Sequence, residues 1–353
     1  MISFVIVGSG WRAEFYGRVA RTYPDAFRAL FLCRSEEKAR LMKQRTGIDA
    51  VTTEGEALAF RPDFIVVAVD RAHLTDVAEQ WATKGFPVVM ETPAGDTEEQ
   101  LSRMLRLEAQ GAKIVCAEQY HRYPILAEGL RLIASGALGA PRFLYISLAH
   151  DYHAASLIRH ALLVGKERYT IQGQKFVVPV VDTDSRAGQR YDGHMGQETL
   201  NRALITFESG KSALYDFSGT QYHSFIRSRH ITVRCERGEW SDAMIYGLDE
   251  QNQPWRKPLL PEIPEKYRWE RTLRCLDTRW LNDLRKAWRP ELYLDNTQDE
   301  FAIATLLLDM AEYLNGGPSP YPLWEAIEDA RFFMRLRQSC EDAVAIVNNN
   351  VTC

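Results

Sequence analysis

The sequence has little that would tie it to a disulfide scaffold, a bilayer or a polyanion. Its six cysteines stand at 33, 116, 235, 275, 340 and 353 with no CxxC pair. Neither a disulfide framework nor a zinc site is expected from them, and a reducing cytoplasm suits them. No apolar run is long enough to span a membrane. No block of like charge occurs and the net charge is only -4, which argues against nucleic acid or a membrane surface as partner. The opening "MISFVIVGSGW" has no basic stretch before its apolar run and reads as a first strand, not a signal peptide. No internal repeat is visible. A chain of 353 residues exceeds one ordinary core, so two domains are expected.

What is present begins with alternation. Apolar runs at Ile2–Val7, Ala29–Cys33, Phe64–Val69, Val88–Glu91 and Lys113–Ala117 read as strands buried on both faces. Helical stretches such as Glu36–Arg45 and Leu74–Lys84 lie between them, as in parallel βαβ units. "PILAEGLRLIASGALGAPR" then gives a helix with Pro124 at its start and Gly136 and Gly139 past its end. From Arg142 β-formers dominate, with turn signals at "ESGK" (208–211) and "ERGE" (236–239) and one helix near 153–164. Residues 181–197 read as a mobile polar loop, and 251–269 as irregular proline-rich chain on the surface. Two helices close the sequence. One is marked by Phe301, Ala304, Leu308 and Ala311; the other runs from near Tyr321 to about Val347, before a frayed tail. The expected class is α/β: an N-terminal doubly wound parallel sheet over 1–120, and an α+β domain with an open, mostly antiparallel sheet over 121–353. The last helix is a candidate to pack back on the first domain.

Gly8-Ser9-Gly10-Trp11-Arg12-Ala13 follows the first strand and opens a helix, which is the context G-x-G-x-x-G/A requires. The first glycine allows the tight turn and the second lets backbone approach a pyrophosphate. The small Ala13 lets helix pack on strand. The helix N-terminus offers N–H groups and a positive dipole to phosphate. After strand two an acid would hold the ribose hydroxyl of NAD, but the chain has Cys33-Arg34-Ser35. Arg34 and Ser35 suit a 2′-phosphate, so NADP(H) is the preferred cofactor. NAD(H) is the alternative if Glu36 or Glu37 takes the ribose.

The order of these features resembles the Gfo/Idh/MocA family, the glucose–fructose oxidoreductase and inositol dehydrogenase group. "FVIVGSGWRA" resembles its first strand and phosphate loop. "PDFIVVAVDRAHLTDVAEQWATKGFPVVMETPAG" (62–95) resembles its fourth and fifth strands, and "EQYHRYPILAEGLRLIASGALGAPR" (118–142) its crossover into the second domain. The resemblance implies a Rossmann domain, a substrate domain with an open sheet, a nicotinamide cofactor and a sugar- or cyclitol-like substrate. It also implies a homo-oligomer, dimer or tetramer, formed through that sheet. Val69, Asp70, His73, Glu91 and Thr92 become candidate cofactor contacts beside the glycine loop.

The resemblance breaks at the chemistry. Where the family carries Glu-Lys-Pro, this chain reads Glu91-Thr92-Pro93, and threonine carries no proton at neutral pH. In the family's helical signature, Arg159 falls on the aspartate position and Leu163 on the histidine position, after Ala154 and Ala155. In their place "HDYHAASLIRH" gathers His150, His153, Arg159 and His160. Helical spacing puts Ser156, Arg159 and Leu163 on one face. His153, Tyr120 and His121 are the candidate proton carriers. Arg122, Ser156, Arg159 and His160 are the candidate substrate contacts, Arg159 suiting a carboxylate or phosphate. A metal site at His150 and His153 lacks a completing acid and is not expected.

Three functions fit these observations. The first is an NAD(P)-dependent oxidoreductase whose proton carrier is a histidine or tyrosine. The second is a glycoside-cleaving hydrolase or lyase that keeps its NAD. The third is a redox-inactive dinucleotide-binding sensor.

Overall fold

The computed structural model describes residues 1–185, 188–260 and 298–347. The chain divides into two compact units. Of the described residues, unit 1 holds 1–123 and 298–330, and unit 2 holds 124–185, 188–260 and 331–347.

Unit 1 opens with β1 (Ile2–Val7), α1 (Trp11–Thr22), β2 (Phe27–Leu32), α2 (Glu36–Thr46), β3 (Ala50–Val51) and α3 (Glu54–Ala59). It continues with β4 (Phe64–Val67), α4 (Arg71–Thr83), β5 (Val88–Met90), α5 (Glu98–Ala109), β6 (Ile114–Cys116) and a 3-10 turn at Tyr120–Arg122. All five expected strands form. The short β3 adds a sixth, which two residues of pattern could not announce. The parallel order is β3-β2-β1-β4-β5-β6. Strands β4, β5 and β6 are buried at every residue, as a sheet covered on both faces demands. Side-chain N-caps start the helices sharply: Ser35, Thr53, Asp70 and Thr97 each accept an N–H from the first turn.

Unit 2 begins with α6 (Pro124–Ala134), β7 (Pro141–Ser147), α7 (Asp151–Leu162), β8 (Tyr169–Val181), β9 (Asp184–Ser185), β10 (Gly188–Gln189) and β11 (Met195–Phe207). Then come β12 (Ser212–Ser218), β13 (His230–Cys235), β14 (Gly238–Ser241), β15 (Met244–Leu248) and β16 (Pro254–Pro258). Helix α8 (Gln298–Leu314) returns to unit 1, α9 (Leu323–Asp342) crosses the division, and β17 (Ala345–Val347) belongs to unit 2. The nine-stranded sheet runs β16-β15-β14-β13-β7-β12-β11-β8-β17, with only β7 and β12 parallel. Alternation is clean on β11: Ala203, Ile205 and Phe207 are buried, while Arg202, Leu204 and Thr206 are exposed. In α6, Gly129 lies where any Cβ would overlap the fully buried Trp240.

Three expectations about the second half change. The loop expected at 181–197 contains strand at both ends and within it: Val181 and Met195–Gln197 belong to the β8–β11 ladder, which runs from Tyr169↔Phe207 out to Val181↔Met195, and β9 pairs with β10. The irregular stretch at 251–269 contains β16, paired with β15; residues 261–269 lie outside the described residues. The last helix stops at Asp342, and Ala345–Val347 pairs with β8 as an edge strand. The expected frayed tail, from 348 onward, lies outside the described residues. In α8, Phe301 and Ala304 are buried but Leu308 and Ala311 only half so, because burial extends to Ala302, Ile303, Leu306 and Leu307.

Candidate functional site

In unit 1 the strand order reverses between β1 and β4, so their carboxyl ends open a crevice at the switch point. The glycine loop leaves β1 here. Gly8 has φ +141, and a Cβ on it would overlap the Ala68 carbonyl. Gly10, the N-cap of α1, has open space where its Cβ would be, and no side chain caps the helix. Ala13 is fully buried, as the close helix–strand contact requires. One glycine is thus forced by packing and the other leaves room over an uncapped helix N-terminus. These residues fit a dinucleotide diphosphate.

The flanking loops come to the same sheet edge. Cys33, Arg34 and Ser35 follow β2; Val69 and Asp70 follow β4; Glu91 and Thr92 follow β5. Cys33 is buried, and burial pushes its thiol up to about 11. Arg34 is exposed and makes no ion pair among the described residues. Ser35 caps α2, accepting from Lys38 N–H at 3.3 Å. Glu36 accepts from the Thr52 hydroxyl at 2.8 Å, so it is already occupied. Asp70 caps α4 through Ala72 N–H at 3.1 Å, and His73 stands exposed on the first turn. Thr92 is half-buried, with its N–H 3.3 Å from Glu91 Oε2.

Glu91 has a role the sequence does not announce. Arg12 Nε donates to Glu91 Oε1 at 2.9 Å, and Tyr16 Oη donates to the same oxygen at 2.6 Å. Arg12 Nη1 reaches Asp299 on α8 at 3.3 Å, and Tyr123 Oη donates to Asp299 at 2.7 Å. Burial works against the Arg12 charge, but Glu91 and Asp299 outweigh it and hold the guanidinium charged. Burial and the Glu91 charge push the Tyr16 hydroxyl well above its ordinary value, so it stays a donor. The Glu91 carboxylate therefore ties the first helix to the end of β5, and its side chain is committed within the protein. Arg12 Nη2 is buried with no hydrogen-bond partner among the described residues. Arg12 and Tyr16 lie one helical turn apart, which a reader of the sequence could have noticed. Asp299, 287 residues from Arg12, could not be found that way.

The crossover residues also lie in unit 1. Tyr120 is buried and packs on Tyr123, with ring centroids 4.8 Å apart. His121 stacks on Tyr321 at 5.0 Å. Arg122 does not look outward. It donates to Asp309 Oδ2 at 2.7 Å and to the Pro320 carbonyl at 3.0 Å, bracing the crossover against α8. The guanidinium expected to meet substrate is thus engaged within the protein.

In unit 2 the histidine segment forms the start of α7, with His150 as N-cap. Tyr222 Oη accepts the His150 backbone N–H at 3.0 Å and lies 2.5 Å from His150 Nδ1. Tyr222 Oη and His150 Nδ1 share one hydrogen bond, whose donor is set by the imidazole tautomer. His153 is buried and packs edge-on to His150 at 5.1 Å and to Tyr152 at 4.5 Å. His160 Nδ1 donates to the Ser156 carbonyl at 2.8 Å. Arg159 is buried, with Nε 3.4 Å from the Gly165 carbonyl. Ser156 is fully buried. Leu163 is not on the helix face: it is a left-handed C-cap, half exposed. The structure thus gathers His150, Tyr152, His153 and Tyr222. Tyr222 was invisible in the sequence, 72 residues from His150.

Residues 2–119 match the profile of the Gfo/Idh/MocA family, described as an oxidoreductase family with an NAD-binding Rossmann fold. No curated protein matches the chain. Among solved structures, an oxidoreductase from Agrobacterium radiobacter in complex with NAD+, L-tartaric acid and magnesium is similar, at 12% identity over 98% of each chain and a TM-score of 0.68. A myo-inositol dehydrogenase from Corynebacterium glutamicum aligns at 12% identity, over 99% of this chain and 100% of that one, with a TM-score of 0.66. A biliverdin reductase from Synechocystis, in complex with biliverdin and NADP+, aligns at 14% identity over 96% and 99%, with a TM-score of 0.63. At such identities the likeness establishes the fold.

Proposed function

We propose, from the match of residues 2–119 to the Gfo/Idh/MocA oxidoreductase family with its NAD-binding Rossmann fold, that the protein is an NAD(P)-dependent oxidoreductase acting on a sugar, polyol or related small molecule. The observation that carries this is the glycine loop: Gly8 forced by the Ala68 carbonyl, Gly10 open above an uncapped helix N-terminus. Bound nicotinamide supplies or accepts the hydride. The chain's own residues hold and orient it: the N–H groups of the loop on the diphosphate, with Val69, Asp70, His73 and Thr92 as flanking contacts.

NADP(H) is the preferred form. Arg34 is exposed without an ion pair among the described residues, and Glu36 is engaged by Thr52. A guanidinium at this loop matches a 2′-phosphate better than a ribose hydroxyl. Proton transfer is assigned to His153, with Tyr120 and His121 as the alternatives, since Thr92 cannot carry it. Arg159 and His160 are assigned to the substrate. Exposed Leu204, Tyr246 and Leu248 on one face of the nine-stranded sheet support self-association as a dimer or tetramer. The described cysteines are free thiols, which supports a cytoplasmic setting.

The test is a fluorescence titration with NADPH and NADH, followed by a screen of sugars and polyols for hydride transfer. Tight NADPH binding with turnover supports the reading. Thr92 favours a second reading, a dinucleotide-binding protein without turnover; binding with no hydride transfer in a single-turnover experiment would select it. Absence of any nucleotide binding defeats both.

A further inference from the structure

Unit 2 carries a second constellation that the oxidoreductase reading does not use. Ser228 Oγ lies 2.7 Å from His230 Nε2, and His230 Nδ1 lies 2.9 Å from Asp242 Oδ2. A carboxylate only accepts, so Nδ1 carries the proton toward Asp242 and the Nε2 lone pair faces the Ser228 hydroxyl. That is the order of a nucleophile, a base and a group that orients the base.

Each member is held by bonds outside the relay. Asp242 Oδ1 accepts the Ile231 N–H at 2.9 Å, the Asp242 N–H donates to the Ile231 carbonyl at 2.9 Å, and Trp240 Nε1 donates to the Asp242 carbonyl at 2.7 Å. The Ser228 carbonyl accepts from Gln221 Nε2 at 2.8 Å, and the same nitrogen donates to Ser147 Oγ at 2.9 Å. His230 lies on β13, in register with Ser147 of β7. Preorganisation of this kind separates a working relay from a chance surface contact. The group is also reachable: Ser228 is exposed, and the side chains of His230 and Asp242 are 39% and 29% exposed. The Ser228 backbone N–H has no hydrogen-bond partner among the described residues, which leaves it available to a developing oxyanion.

We infer that Ser228, His230 and Asp242 form a hydrolytic relay for small carboxylic esters. Ser228 Oγ attacks the ester carbonyl carbon while its proton passes to His230 Nε2. The carbonyl electron pair moves to oxygen, then returns as the bond to the alcohol breaks, and the alcohol leaves with the proton from Nε2. Water repeats the sequence on the acyl-serine and restores the free hydroxyl. The exposed setting suits esters with good leaving groups rather than amides, whose nitrogen needs firmer positioning.

The experiment uses the full-length protein, p-nitrophenyl acetate as substrate and a fluorophosphonate probe, with the labelled residue located by mass spectrometry. Expected results are label on Ser228, at least a tenfold loss of hydrolysis in Ser228→Ala and His230→Gln, and a similar loss in Asp242→Asn. The last variant keeps the Oδ1 acceptor for Ile231, so an unchanged melting temperature shows that the loss is not unfolding. A wild-type rate in Ser228→Ala, or label confined to other residues, overturns the inference. NADPH binding should be the same in Ser228→Ala as in wild type. Failure of the redox reading therefore leaves this result untouched, and the reverse holds too.

Discussion

Arg34 and Arg12 carry the same charge to different ends. Arg34 is exposed at the tip of the loop after β2. Arg34→Ala is expected to weaken NADPH binding at least tenfold, about 1.4 kcal/mol, and to leave NADH binding nearly unchanged; paired titrations measure this. Arg12 sits inside a network with Glu91, Tyr16 and Asp299. Arg12→Met leaves Glu91 with two donors in place of three, the Tyr16 hydroxyl and the Thr92 N–H, and is expected to cost about 3 kcal/mol in urea unfolding, the low end for a broken buried pair because Arg12 is partly exposed. Titration adds a third expectation. Burial pushes the thiols of Cys33, Cys235 and Cys340 up to about 11, and Tyr16 is raised as well. The folded state therefore holds protons that the unfolded chain releases. The resulting stability is complete below the ordinary thiol value of 9.0 and is lost as pH rises through about 11. Melting temperatures measured from pH 8 to 11 should be level at first and then fall. A curve that rises above pH 9 contradicts this.

At the scale of the element, register explains what periodicity left open. Strands β8 and β11 pair along thirteen residues each, and the polar, glycine-bearing sequence that resembles a loop joins this ladder at Val181 and Met195–Gln197 and adds the short β9–β10 ribbon. Residue pattern identifies strands by one covered face, and a ribbon lacking that cover gives no such pattern. Helix α6 shows the opposite case. Its start at Pro124 was legible, but not why Gly129 stands in its middle: the Trp240 ring occupies the space beside it. Gly129→Val is expected to destabilise the protein by about 2–3 kcal/mol through overpacking, despite any gain in helix propensity. Chemical denaturation checks this, and a stabilised variant would mean that the helix can shift away from the ring.

Across the whole molecule, late chain completes early chain. Helix α8 packs on α1, where Arg18 Nε donates to Glu300 Oε1 at 2.7 Å and Glu300 is buried. A fragment ending at Tyr123 contains the whole parallel sheet yet lacks this cover and Asp299. It is expected to melt well below the full chain and to hold NADPH at least tenfold more weakly. Circular dichroism and the same titration test it; a fragment matching the full chain in both would show that α8 is dispensable to the glycine loop.

Sequence alone determined what is local. Six consecutive residues specify the phosphate loop, because the turn, the close approach and the helix start are all made by neighbours in the chain. The burial of β4, β5 and β6 likewise follows from apolar runs that can satisfy their backbone only within a covered sheet. Tertiary structure decided the pairings between distant residues. Glu91 meets Arg12 across 79 positions, Tyr222 meets His150 across 72, and Arg122 meets Asp309 across 187. Each of these places a charge or a hydroxyl where the folded chain brings a complementary group. No spacing rule reaches across such separations, since the partner is chosen by which elements pack together and not by where they stand in the sequence.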